Sequence, residues 1–196
     1  MTVSALNAQS DMDKAEGMIS FKGADAFGEH QFTVRILIKE NYAKITYAYK
    51  DSIRHSDVRK DLTYSKLSLE RHKYKVDEPK PEWILDSTAK ILEKHSAYSR
   101  DSTIVNLEND KEYADLLECF SNASRDDLAP KIKRNWFDGY TVDISVANNQ
   151  KNLNVFADTP NSSNHPLLIN MLSNTLKKRK DSIPVEKILG YYLELQ

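Results

Sequence analysis

Apolar and polar residues alternate with a period of two in several stretches, and that alternation predicts a sheet. Phe32, Val34, Ile36 and Ile38 alternate with Thr33, Arg35, Leu37 and Lys39, which gives a strand one apolar face. Past the Glu40-Asn41 turn, Ile45, Tyr47 and Tyr49 alternate with Lys44, Thr46, Ala48 and Lys50. Two β-rich runs joined by a short polar turn predict a hairpin. A shorter strand precedes it, with Ile19 and Phe21 set between Met18, Ser20 and Lys22. The clearest hairpin comes later: Tyr140, Val142, Ile144 and Val146 alternate with polar or small residues, Asn148-Asn149-Gln150 turns, and Leu153, Val155 and Phe156 return. Leu62, Tyr64 and Lys66, then Leu67 and Leu69, also alternate and predict a further strand.

Elsewhere the apolar period is helical. Ile84, Thr88, Ile91, Leu92 and His95 recur at helix spacing after Pro81, a residue suited to a first turn because its missing N–H has no intrahelical partner there. Tyr113, Leu116, Leu117 and Phe120 form the stripe of a second helix, opened by Asn109 and Glu112 at the spacing of a capping box. Asn164-His165-Pro166 opens a third, carrying Leu167, Leu168, Met171, Leu172 and Leu176 and ending in Lys177-Lys178-Arg179-Lys180, cations that complement a helix C-terminus. A last helix is expected from Ile183-Pro184 with Val185, Ile188, Leu189, Tyr192 and Leu193.

Together these elements define an α+β protein: an antiparallel sheet of about five to six strands, with helices packed on one face. Residues 1–15 are small and polar without a period and read as a flexible tail. Residues 16–196 read as a single domain, with sub-lobes 16–100 and 131–196 joined by a helical segment as the alternative division.

Composition narrows the class. The 196 residues carry 28 basic and 29 acidic side chains, so nothing global argues for nucleic acid or membrane. No apolar run approaches the ~18 residues of a spanning helix. One cysteine, Cys119, excludes an intrachain disulfide, and Met1–Lys14 lacks the basic start and apolar run of a signal peptide. A cytoplasmic location is expected. The charge is unevenly spread: residues 31–80 are net basic and residues 81–130 net acidic.

Catalytic chemistry finds no purchase. The five histidines stand in no HxH or HxxxH spacing, and there is no CxxC, so no metal is expected. His95 reads as completing a helix stripe and His165 as a cap. There is no GxSxG, and Cys119, beside Glu118 in an acidic helix, reads as packing rather than as a nucleophile, since carboxylates raise a thiol pKa. Five glycines form neither a GxGxxG nor a GxxxxGK motif, and no cofactor is expected. Asp143 lacks the Glu-x-Lys companion a nuclease strand would need.

Two charged segments remain as candidate surfaces. Arg54, Arg59, Lys60, Lys66, Arg71, Lys73, Lys75 and Lys80 interleave with Tyr64, His72 and Tyr74. Cations with aromatics can follow a nucleic-acid backbone, and a charged edge that blocks unwanted pairing uses the same residues. The acidic set is Glu108, Asp110, Asp115, Glu118, Asp126 and Asp127, an anionic helix face and loop that could dock into a basic cleft. Trp83, Trp136, Tyr140 and Tyr191-Tyr192 are candidate aromatic anchors, though for each packing into the core is the stronger reading.

The C-terminal region opens at an Asp138-Gly139 turn, runs through two alternating strands and reaches a Leu-rich helix starting at Pro166. It resembles small α+β immunity proteins of bacterial toxin systems. The resemblance covers about a third of the chain and carries over no functional residue. It implies a non-catalytic protein that binds and neutralises a toxin or effector, with a protein partner. The alternatives are a nucleic-acid-associated accessory protein using residues 54–80, or an enzyme without a readable motif. Tyr191, Tyr192, Leu193 and Leu195 are crowded enough to pack on a second copy as a homodimer, or to close the chain's own core.

Overall fold

A computed structural model describes residues 15–25, 31–75, 78–129, 140–160 and 162–179. All but the last residue of the tail expected over residues 1–15, together with Trp136, the Asp138-Gly139 turn, and the last helix with its Tyr191-Tyr192 pair, lie outside the described residues. The chain divides into two compact units: Met1–Tyr49 with Ser99–Gln196, and Lys50–Tyr98.

The described residues form six strands in one sheet: β1 (Gly17–Asp25), β2 (Gln31–Ile38), β3 (Tyr42–Ile53), β4 (Ser96–Asn106), β5 (Tyr140–Asn148) and β6 (Asn152–Asp158). Their order is β4-β3-β2-β1-β5-β6. β1 pairs antiparallel with both β2 and β5, placing Ile19 opposite Ile36 and Val146, and Phe21 opposite Val34 and Ile144. β2 and β3 pair Ile36 with Ile45, and β5 and β6 pair Ile144 with Val155. These registers put the alternating apolar residues on one face, as a period of two requires; Phe156, opposite Asp143, falls on the other face and is exposed. The α+β class and the antiparallel sheet agree with the sequence.

That face is covered by helices of the first unit: α4 (Lys111–Asn122), the short α5 (Arg125–Leu128) and α6 (Pro166–Lys177). Leu117 and Phe120 from α4, Leu128 from α5, and Leu168, Met171, Leu172 and Leu176 from α6 are buried in one cluster with the strand residues. Phe21 and Phe120 meet edge to face, centroids 5.4 Å apart at 70°, the arrangement favoured by the ring quadrupoles. Each such side chain stabilises the fold by about 1.5–3 kcal/mol of apolar burial.

Local signals set the helix ends. Asp110 caps α4, accepting from the Tyr113 N–H at 3.3 Å, one residue beyond the expected Asn109. Ser124 and Asp127 form the capping box of α5. Pro166 occupies the first turn of α6, and His165, its N-cap residue, is buried without capping through its side chain. A polar knot closes the core between β3, α4 and α6: Tyr47 Oη donates to the Thr175 carbonyl oxygen at 2.8 Å, and Tyr113 Oη lies 3.0 Å from Thr175 Oγ1. Burial holds both phenols well above their ordinary pKa.

Two elements differ from the expectation. Residues 62–69 lie in a helix, Leu62–Arg71, not a strand. Residues 96–106, which carry no apolar alternation, form strand β4, of which only Val105 is buried. Cys119 is exposed on α4 rather than packed. No helix among the described residues is long and apolar enough to cross a membrane.

Candidate binding unit

Residues 50–98 form a helical unit with its own construction: α1 (His55–Lys60), α2 (Leu62–Arg71) and α3 (Glu82–Lys94). Asp61 organises it. Its Oδ1 accepts from the Thr63 and Tyr64 N–H groups at 2.9 and 3.4 Å, which caps α2. Its Oδ2 receives Lys94 Nζ at 2.8 Å, and His95 Nε2 lies 3.0 Å away. Hydrogen bonds from Lys94 first, then His95, hold this carboxyl far below the usual carboxylate range. His95 is therefore the C-cap of α3 and a ligand of Asp61, not the end of an apolar stripe. Its carbonyl oxygen accepts from the Arg54 N–H at 3.0 Å, so the two ends of the unit meet.

The interior is small. Val58, Leu67 and Ile91 are buried together, with Ile53, Tyr64 and Leu92 packed against them. In contrast, Leu62, Leu69, Trp83 and Leu85 are 79, 70, 52 and 53 % exposed. At 100° per residue, Leu62, Lys66 and Leu69 share one face of α2 while Leu67 faces inward.

All eight cations of the candidate nucleic-acid segment fall in this unit. Arg54 pairs with Asp57 at 3.5 Å and Lys73 with Glu70 at 2.7 Å, both exposed pairs worth little in water. Arg59, Lys60, Arg71 and Lys75 are exposed. The interleaved rings and cations meet at one place: Tyr64, Arg71, His72, Tyr74, Lys75 and Lys80 line a cavity of about 560 Å³.

The acidic candidates belong to the first unit and are dispersed in role. Asp110 is a cap and receives Lys178 Nζ at 2.5 Å. Asp127 is committed to Ser124, whose side-chain hydrogen bond is the main cause of its lowered pKa. Asp115 and Glu118 are exposed on the outer face of α4, Glu108 is exposed in the turn before it, and Asp126 is exposed in α5. Tyr140 is buried, its hydroxyl donating to the Pro160 carbonyl oxygen, so it belongs to the core. Trp83 is the one aromatic anchor candidate exposed among the described residues.

Sequence reasoning missed Asp61, because its link to His95 spans 34 positions, and it missed Leu62 and Leu69, which alternate like strand residues. Among the described residues no group of three or more His, Cys, Asp or Glu side chains is placed to hold a metal ion. No protein-family model matches the chain, and no curated protein or solved structure matches it significantly.

Proposed function

We propose that this chain is a non-catalytic protein-binding module whose contact surface is the helical unit 50–98. The observation that carries this reading is the concentration there of four large exposed apolar side chains, Leu62, Leu69, Trp83 and Leu85, among exposed cations. Apolar anchors ringed by charge are the anatomy of a protein interface, and the cations select an acidic partner surface.

An immunity-type inhibitor, holding a toxin or effector inactive, is the specific form of this reading. Its support is the resemblance of the C-terminal hairpin and helix, whose described part (β5, β6 and α6) buries Val142, Ile144, Leu168 and Leu172. That resemblance therefore concerns scaffold rather than contact surface.

The test is affinity capture from the native host at low and high salt, with wild type, a Leu62→Ser/Leu69→Ser variant and an Asp115→Asn/Glu118→Gln variant. A stoichiometric protein lost only with the leucine variant supports the reading, and host growth that requires this chain only when that protein is made supports the inhibitor form. Loss only with the acidic variant moves the contact to α4. Capture of nuclease-sensitive, salt-released nucleic acid alone overturns the protein reading for the accessory role.

A further inference from the structure

A cavity lies against α2 and α3. Its cations are Arg71, Lys75 and Lys80, with His72 beside them. Among the described residues no carboxylate lines it. Two described acids close by in sequence are committed elsewhere: Glu78 accepts from the Lys75 N–H at 3.1 Å, and Glu70 holds Lys73. Lys80 Nζ donates to the Lys75 carbonyl oxygen at 3.0 Å, which ties the two sides of the rim together. Tyr64 and Tyr74 supply ring surface, and Leu67 with Thr88 completes the less polar wall.

At about 560 Å³ the volume falls within the range of small-molecule sites. Guanidinium and ammonium groups recognise phosphate, Arg71 by paired N–H donors and Lys75 as a point charge. Tyrosine rings take a planar heterocycle by stacking, whatever its edge pattern. The chain has no glycine-rich loop, so here side-chain donors stand where backbone N–H groups serve in phosphate loops.

We propose that this cavity binds a small phosphomonoester bearing a planar heterocycle, a ligand of the mononucleotide class. The phosphate sits at Arg71 and Lys75, and the heterocycle lies against Tyr64 and Tyr74. The site goes beyond the protein-partner reading and does not depend on it, because it is assayed with no partner present.

The experiment is calorimetric titration of the full chain with adenosine 5′-monophosphate, adenosine, inorganic phosphate and a ten-nucleotide oligoadenylate. The monophosphate should bind at least tenfold more tightly than either adenosine or phosphate. Arg71→Gln and Lys75→Gln should each weaken it about tenfold, the equivalent of about 1.4 kcal/mol. Lys60→Gln, the same charge change outside the cavity, should leave it unaltered, and circular dichroism should show all three variants folded like wild type. No binding of the monophosphate overturns the proposal. So does Lys60→Gln weakening it as much as Arg71→Gln, since binding would then be diffuse attraction. Oligoadenylate binding tighter than the monophosphate overturns it in favour of strand recognition along 54–80.

Discussion

Two glycines on one strand offer a controlled test of the sheet. Gly23 in β1 stands opposite Phe32 in β2. A Cβ added there would fall 2.7 Å from Phe32 Cδ1 and nearer still to Cε1 and Cζ, whereas carbon atoms settle at about 3.5–4.0 Å. The ring cannot swing clear, because Phe32 is 2 % exposed and belongs to the main core. Gly23→Ala therefore overpacks the centre of the sheet and should cost about 1–3 kcal/mol. For a chain of this size about 2 kcal/mol lowers Tm by roughly 4–8 °C. Gly17, at the start of the same strand, would meet nothing nearer than the Ala147 carbonyl oxygen at 3.6 Å. Gly17→Ala should be neutral or stabilise by up to about 1 kcal/mol, through the unfolded chain. Thermal unfolding followed by circular dichroism reads both. Adding Phe32→Leu to Gly23→Ala should return part of the loss, a coupling that only a steric cause produces. Equal stability of the two alanine variants would refute the close-contact argument.

The remaining expectations concern single groups. Tyr47→Phe removes a buried hydrogen bond to the Thr175 carbonyl oxygen and should cost about 1 kcal/mol, read as a shift in the urea midpoint at unchanged slope. Asp61 has a depressed folded pKa, so its contribution is present above the unfolded carboxyl pKa of about 4 and is lost as pH falls through the folded value. Asp61→Asn should accordingly weaken amide-exchange protection across 55–95 at pH 7, and the difference from wild type should narrow toward pH 2; a constant difference would contradict the ion-pair role. Cys119 is exposed and should react stoichiometrically with a thiol reagent in the native state, whereas a packed thiol would react only on unfolding.

The two hairpins were legible because a half-buried strand writes its exposure into the sequence at period two, as in Val142, Ile144 and Val146. The helix at 166–177 was legible for the matching reason, with Leu168, Met171, Leu172 and Leu176 on one side behind Pro166. Residues 62–69 read as a strand because Leu62 and Leu69 face solvent and Leu67 alone is buried. With apolar groups on both sides, the helical period disappears, and the cap at Asp61 decides the outcome. β4 was missed because most of its side chains are polar and half-exposed: an edge strand pairs on one side only and needs little apolar alternation. Cys119 reads as packing, yet it is exposed: it stands one residue from the buried Phe120, and one residue along a helix is a turn of 100°. The cavity was partly legible, since its rings and cations lie close together in sequence. The acidic set was less so, because sequence cannot distinguish an aspartate that caps a helix, such as Asp110, from one that faces a partner.

The hydrogen bond from Arg54 N–H to the His95 carbonyl oxygen has a further consequence. Chain enters and leaves the helical unit at one doorway, between strands that are neighbours in the sheet. A connection roughly tenfold shorter across that doorway would close the same two strands at an entropic cost lower by about 2 kcal/mol. Recombination at this point could delete the unit, or exchange it for another, while the order of the strands stayed intact. The unit is thereby open to evolution on its own, as a replaceable cassette whose exchange redraws no other part of the topology.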